Sequence, residues 1–161
     1  MTYLLDANIF IQSNRAHYGL DFVPAFWDWL DYSYEAGLLR SIKQVGTEIA
    51  AGKDDLTAWA AARPDLFVPL DASCQPHLAA VAQWATSHHF TSAAVTEFLR
   101  VADYQLVAYA RAHSMTVVTM EKPEPQRKNR IKIPDACIAM SVEWAGPFDM
   151  LRAEKASFVL R

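Results

Sequence analysis

The sequence MTYLLDANIFI, residues 1–11, places a carboxylate directly after a short apolar run. Tyr3 to Leu5 has the length and composition of a strand buried in a parallel sheet, and Asp6 follows it at once. Ligands of open α/β sheets bind beyond the carboxyl ends of the strands, so Asp6 is a candidate site residue. It is also suited to cap a helix that starts after it, and one aspartate can serve both purposes.

Beyond this strand, apolar periodicity and helix-ending residues predict helices that alternate with short strands. Ser41 and Gln44 have the spacing of a capping box, which would open one of these helices. The alternation predicts an α/β domain with a central, mostly parallel sheet flanked by helices. The predicted helices cover residues 24–37, 42–52, 56–62, 77–85, 93–99, 102–112 and 135–142, and the later strands cover residues 67–70, 116–119 and 157–160.

The length of 161 residues and a hydrophobic fraction of 52% predict one compact domain over residues 1–161. Asp6 interrupts the apolar stretch that a secretory signal would need, and no segment approaches the ~20 apolar residues of a membrane span. We therefore expect a cytoplasmic protein with no membrane partner. Cys74 and Cys137 lie far apart and predict reduced, buried thiols rather than a disulfide framework or a CxxC zinc site.

The net charge of −3 argues against a protein that coats nucleic acid by bulk electrostatics. A local basic segment is nevertheless present in KPEPQRKNRIK, residues 122–132, within a polar, proline-bearing stretch that predicts an exposed loop. Two interpretations stay open for this segment: contact with a phosphate backbone, or an ordinary solvated loop. Its cations are Lys122, Arg127, Lys128, Arg130 and Lys132.

Asp103 and Glu48 are acidic residues at unusual positions of predicted helices. Asp103 shares a helical stripe with Leu106 and Val107, where an unpaired carboxylate costs several kcal/mol at least. A helix cap, a buried salt bridge or a bound metal ion would each explain it. Glu48, beside Val45 on its own helix, is either a solvated surface charge or a member of the same site.

Four segments occur in an order and spacing that resembles the PIN-domain family. They are LLDANIFI, IKQVGTEIAAG, FVPLD with the alanine-rich helix after it, and VADYQLVAYARAHSMTVVTMEKP, which together run from Thr2 to about Lys122. The segments YGLDFVPAFWDWL and KIPDACIAMSV are similar to a largely uncharacterised branch related to bacterial toxin ribonucleases. The resemblance implies a PIN-like three-layer fold.

Matched position by position, the resemblance implies a set of acidic site residues. The family's first acid falls on Asp6, its helix glutamate on Glu48 and its third acid on Asp103, with Asn8 at the polar position beside the first acid. The family's fourth acid is usually an aspartate two residues after a threonine that ends a strand.

The fourth acid departs from the family pattern, because this chain has Glu121 two residues after Thr119. Glutamate is one methylene longer than aspartate, so Glu121 would ligate a metal through a shifted geometry or through water. Asp135, at the start of a predicted helix, is a competing or additional ligand. The sequence leaves both open.

A cluster of carboxylates without cysteine or histidine suits Mg²⁺ or Mn²⁺, which prefer hard oxygen ligands and keep several waters. Such ions activate water and neutralise charge during phosphodiester hydrolysis. We expect Asp6, Asp103 and Glu121 or Asp135 to bind metal, and Glu48 to bind a second ion or orient the attacking water. The residues assigned to substrate contacts are Asn8, Thr119, Arg127, Lys128, Arg130 and Lys132.

The resemblance implies a metal-dependent endoribonuclease that cleaves single-stranded RNA, leaves 5′-phosphate and 3′-hydroxyl ends, and forms the toxin half of a toxin–antitoxin pair. An antitoxin protein is then the expected partner. Two alternatives stay open, namely an RNA-processing nuclease without a toxin role and a PIN-like binding module that has lost catalysis. The aromatic group of Phe26, Trp27 and Trp29 is expected in the core or in a homodimer contact rather than as a platform for bases.

Overall fold

The computed structural model describes residues 1–160. None of the helices in this range combines the length and apolarity needed to cross a bilayer. The strands are β1 (Tyr3–Leu5), β2 (Leu39–Ile42), β3 (Phe67–Val68), β4 (Thr116–Val118) and β5 (Trp144–Ala145). The α-helices are α1 (Ala7–Gln12), α2 (Pro24–Glu35), α3 (Lys43–Ala50), α4 (Asp55–Ala61), α5 (Gln75–Ser87), α6 (Ser92–Arg100), α7 (Ala102–His113), α8 (Ile133–Ala139) and α9 (Pro147–Ala153).

The five strands form one sheet in the order β3-β2-β1-β4-β5, and every neighbouring pair is parallel. The predicted α/β architecture is therefore confirmed. The chain moves from β1 outward to β3, then returns to place β4 on the other side of β1. This reversal of strand order makes the β1–β4 boundary the switch point, where open α/β sheets bind ligands.

The central strands are buried, as expected for a parallel sheet with helices on its faces. All three residues of β1 and all three of β4 are buried. Phe10 and Trp27 are among the aromatic residues that pack beside the sheet, and Phe26 is 1% exposed. Burial of each such side chain contributes roughly 1.5–3 kcal/mol. Phe26 and Trp27 thus belong to the core, which agrees with the first of the two placements expected for them, the core or a homodimer contact.

The capping box predicted for Ser41 is wrong. Ser41 lies in β2, and its hydroxyl donates to the carbonyl oxygen of Leu5 at 2.7 Å. The helix starts only at Lys43 and has no side-chain cap. Leu39 and Ile42 are fully buried, so tertiary packing outweighs the local capping signal and extends the chain here.

The strand predicted at residues 157–160 is also wrong. These residues have no regular secondary structure, and Phe158 packs its ring against Tyr18 and Phe26 at centroid distances of 6.0 and 6.2 Å. Phe158 therefore serves side-chain packing, whereas Val159 and Leu160 are exposed, and the apolar composition of the segment does not produce backbone pairing. The fifth strand is instead the two-residue β5, which is too short to show an alternating pattern in the sequence.

Candidate active site

A cleft of about 490 Å³ opens at the carboxyl ends of β1 and β4. The two strand ends are held in register, because the backbone N–H of Asp6 donates to the carbonyl oxygen of Val118 at 3.0 Å. The cleft therefore lies at the switch point of the sheet. Its lining consists of Asp6, Ala7, Asn8, Ile11, Glu48, Ala93, Ala94, Glu97, Phe98, Val101, Asp103, Glu121, Arg127, Asn129, Arg130 and Ile131.

Asp6 lies at the bottom of this cleft and is only 2% exposed. Thr119 Oγ1 donates to Asp6 Oδ2 at 3.1 Å and accepts from the backbone N–H of Glu121, also at 3.1 Å. Thr119 itself is fully buried and is absent from the cleft lining. The structure therefore places this threonine beneath the cleft, where it joins the first acid to the loop that carries Glu121.

Glu48 and Asp103 come from two helices that meet at the rim of the cleft. Glu48 Oε1 accepts from the backbone N–H of Ala102, the first residue of α7, at 3.0 Å. An amide at a helix N-terminus has no partner within its own helix, and the helix dipole favours a carboxylate there. Glu48 thereby anchors the turn of α7 that carries Asp103, and both acids line the cleft.

Glu121 enters the cleft from the loop after β4, with its side chain 9% exposed. Its Oε1 accepts from the guanidinium of Arg130 at 3.2 Å, and its Oε2 accepts from the backbone N–H of Ile133 at 2.8 Å. The Glu121 carboxylate thus holds the C-terminal end of the basic loop, residues 122–132, next to the start of the loop. One arginine is paired with it, and both residues stay at the cleft surface.

Asp135 lies at the base of the basic loop and is not part of the cleft lining. Its Oδ2 accepts from the backbone N–H of Glu124 at 2.8 Å. The structure therefore brings Asp6, Glu48, Asp103 and Glu121 together and leaves Asp135 in a loop contact. The sequence alone does not separate Glu121 from Asp135, because the path of the loop decides which carboxylate reaches the cleft.

Burial and the neighbouring negative charges make two of the cleft acids, Asp6 and Asp103, hard to ionise together. Burial, with Glu121 as a second cause, raises the pKa of Asp6 to about 7, although the Thr119 hydrogen bond opposes this. Burial also raises the pKa of Asp103 to about 8, and the charges of Asp6, Glu121 and Glu48 add to the rise. Arg130 lowers the pKa of Asp103 only in part. The cleft therefore has an excess of negative charge that a cation would neutralise.

The donor set of this cleft fits Mg²⁺ or Mn²⁺. Asp6, Glu48, Asp103 and Glu121 offer only oxygen ligands, and a cation among them would offset the burial and repulsion that raise the pKa values of Asp6 and Asp103. Within residues 1–160, no three of these four acids bring carboxylate oxygens within 4.8 Å of one another. This spacing suits ions that retain several waters between themselves and the protein.

The basic loop contributes only some of its cations to the cleft. Arg127 and Arg130 line it together with Asn129, whereas Lys128 and Lys132 do not. Lys132 instead lies 3.8 Å from Glu124. The backbone carbonyl of Lys128 accepts from the N–H of Thr91, which ties the loop to the start of α6. The two arginines are thus the cations placed to meet a ligand in the cleft.

Sequence analysis does not assign a role to α6, which forms part of the cleft wall. Ala93, Ala94, Glu97 and Phe98 from this helix line the cleft. Thr91 caps the helix by accepting from the backbone N–H of Ala94 at 3.2 Å. Ala93 and Ala94, in the first turn of α6, have short side chains and occupy little of the cleft. Nothing in the local pattern of an amphipathic helix distinguishes such a wall from a helix that packs elsewhere.

Comparison with known proteins gives a family and a fold. A family model described as "Domain of unknown function (DUF4411)" matches residues 3–158. No curated protein matches the sequence. One similar structure is that of VapBC2 from Rickettsia felis, solved bound to a promoter DNA fragment. The matching chain has a TM-score of 0.56 and 13% sequence identity, and the match covers 91% of this chain and 98% of that one.

A chain of FitAcB from Neisseria gonorrhoeae is similar with a TM-score of 0.53 at 19% identity, covering 91% of this chain and 99% of that one. A chain of FitAB bound to an IR36 DNA fragment has a TM-score of 0.53 at 20% identity, with coverages of 91% and 96%. At these identities the likeness concerns the fold, and it confirms the PIN-like arrangement of a parallel sheet between helices.

Proposed function

The chain belongs to the DUF4411 family, and we propose that it is a metal-dependent nuclease that hydrolyses phosphodiester bonds. One observation carries this proposal: four of the five acids in the cleft lining, Asp6, Glu48, Asp103 and Glu121, are largely buried and come from four separate segments that meet at the switch point of the sheet. Their burial would be unfavourable without a compensating cation. A divalent ion held by carboxylates supplies the Lewis acidity and activated water that this hydrolysis needs.

The four largely buried acids of the cleft divide two tasks between them in this proposal. Asp6, Asp103 and Glu121 hold the metal, and Thr119 keeps the carboxylate of Asp6 oriented toward it. Glu48, with one oxygen engaged by Ala102, holds α7 in place and presents its second oxygen to water or to another ion. Glu121 also fixes the basic loop above the site, so metal binding and substrate binding share one carboxylate.

Single-stranded RNA is the substrate that fits the cleft best. A cleft of about 490 Å³ has room for roughly one or two nucleotides, which suits a single strand whose bases are unpaired. Arg127 and Arg130 lie where they can contact phosphates beside the acids. The low net charge is consistent with this local mode of binding, because only a few phosphates need a cationic partner.

A toxin role is the biological context that we propose, on the basis of the resemblance to bacterial toxin ribonucleases. The partner would then be an antitoxin protein that binds this chain, and the site of action would be the cytoplasm. The VapBC2 and FitAB structures of similar fold each contain DNA, which fits such an assembly for their own proteins. An RNA-processing nuclease would use the same chemistry without arresting growth when expressed.

The choice of Glu121 over Asp135 as the fourth acid predicts unequal effects of two matched substitutions. Glu121→Gln should lower the rate of cleavage of a single-stranded RNA in Mn²⁺ by at least about tenfold, because it removes one charge from the metal site. Asp135→Asn keeps an oxygen that accepts from the Glu124 amide, so the rate should fall less than about threefold. Equal losses in the two variants, or a larger loss in Asp135→Asn, would contradict the assignment.

The position of the basic residues predicts a difference between arginine and lysine variants. In an Asp6→Asn background that does not cleave, Arg127→Ala with Arg130→Ala should weaken RNA binding at low salt by at least about tenfold. The slope of log affinity against log salt should fall by about 1.4, which corresponds to two phosphate contacts. Lys128→Ala with Lys132→Ala removes the same charge outside the cleft and should change both quantities less. A similar effect of both pairs would show that the loop acts only through its net charge.

A further inference from the structure

A second group of metal-ligating side chains lies at the far end of α7. Asp71, Cys74 and His113 each bring one ligand atom into a cluster in which all such atoms are within 4.8 Å of one another. His113 is the last residue of α7, whereas Asp103 is in its first turn. A rise of 1.5 Å per residue separates the two positions by about 15 Å along the helix. The cluster is therefore distinct from the acid cleft.

The contacts within this cluster are short and specific. His113 Nε2 lies 2.9 Å from Asp71 Oδ2, and Cys74 Sγ lies 3.7 Å from Asp71 Oδ1. Asp71 also caps the short 3₁₀ turn Ala72–Cys74 by accepting from the backbone N–H of Ser73 at 2.9 Å, which fixes the position of its carboxylate. Bonds of 2.0–2.3 Å to a tetrahedral zinc ion place its ligand atoms roughly 3.3–3.8 Å apart, so small side-chain adjustments suffice to enclose an ion.

We propose that Asp71, Cys74 and His113 form a Zn²⁺ site, with water as the fourth ligand. A thiolate and an imidazole are ligands that zinc prefers and that Mg²⁺ and Mn²⁺ bind poorly, so this cluster and the all-oxygen cleft select different metals. Cys74 is buried while Asp71 and His113 are exposed, which leaves a path for the ion from solvent. Binding releases the thiol proton of Cys74 to water.

The proposed site joins two elements that already pack together. Cys74 immediately precedes α5, His113 ends α7, and these two helices pack against each other. A bound ion would fasten the start of α5 to the end of α7, on the helix whose other end carries Asp103. This role does not depend on the nuclease function, because none of the three ligands lines the cleft.

Cobalt titration of the metal-free protein tests the site, because a cobalt–thiolate bond gives a charge-transfer band in the near ultraviolet that oxygen ligands cannot give. The wild-type protein should develop this band at one equivalent of Co²⁺, and Zn²⁺ should abolish it by displacement. Cys74→Ala should lose the band. His113→Ala, at the exposed end of α7, should weaken Co²⁺ binding by at least about tenfold.

Two control variants test whether the band comes from Cys74 and not from the other thiol or from the acid cleft. Cys137→Ala removes the other buried thiol, which lies in α8, and should leave the band unchanged. Asp6→Asn alters the acid cleft and should leave it unchanged as well. Absence of the band in the wild-type protein would overturn the proposal, as would its persistence in Cys74→Ala or its loss in Cys137→Ala.

Discussion

Asp6→Asn should lower the rate of RNA cleavage by at least about 100-fold. Metal-bound water and charge neutralisation contribute several kcal/mol to such reactions, and each 1.36 kcal/mol corresponds to a factor of ten in rate. Asp6 is the most deeply placed acid of the cleft, and the asparagine amide retains its size but supplies no charge. The measurement is single-turnover cleavage of a single-stranded RNA at saturating Mn²⁺, with the wild-type protein as reference.

The same variant should keep its fold, which separates a catalytic effect from a structural one. Asparagine still accepts from Thr119 Oγ1, and it relieves repulsion between Asp6 and the neighbouring acids. Thermal unfolding in the presence of a chelator should therefore occur at the wild-type temperature or above it. Expression of the wild-type chain should also arrest growth if the toxin role is right, and expression of Asp6→Asn should not. RNA cleavage by the Asp6→Asn variant at the wild-type rate would refute the assigned role of this residue.

Without divalent ions, the protein should become less stable as the pH rises from about 4 to 8. An aspartate of the unfolded chain ionises near pH 3.9, whereas the pKa of Asp6 is raised to about 7 and that of Asp103 to about 8. Between these values the folded state binds protons that the unfolded state does not, so the free energy of unfolding falls with pH and levels off above the folded-state pKa values. Tm at pH 8.5 should lie at least about 10 °C below Tm at pH 5.5.

Mn²⁺ and a double variant provide the controls for this pH effect. Mn²⁺ replaces the protons that the carboxylates would otherwise bind, so it should raise Tm more at pH 8.5 than at pH 5.5. Asp6→Asn with Asp103→Asn lacks both titrating groups and should show a much flatter dependence of Tm on pH. A wild-type protein that gains stability between pH 5.5 and 8.5 without metal would contradict the raised pKa values.

The sequence predicts best those features that short-range patterns determine. The apolar run before Asp6 and the β-branched residues before Thr119 identify the two strands that frame the cleft, and both strands are present. The helix predicted over residues 24–37 has Gly37 as its last residue, and Gly37 adopts a φ of +76° just after α2. Asp103 stands out because a carboxylate on an apolar stripe needs an explanation.

Features that depend on distant contacts could not be predicted in the same way. Glu48 satisfies the amide of Ala102, which is 54 residues away, and no local pattern indicates this contact. Ser41 has a capping spacing but is drawn into β2 by its buried neighbours. Asp71 and Cys74 have a suggestive spacing, yet their third partner, His113, is brought to them only by the packing of α5 on α7.

A crystal structure with Mn²⁺, using the anomalous signal of the ion, tests the central claim most directly. We predict an anomalous peak in the cleft within bonding distance of Asp6 or Asp103, with the remaining cleft acids bound to it directly or through water. Glu121 should take part and Asp135 should not. A cleft without such a peak at saturating Mn²⁺, while the four acids remain together and ionised, would contradict the account.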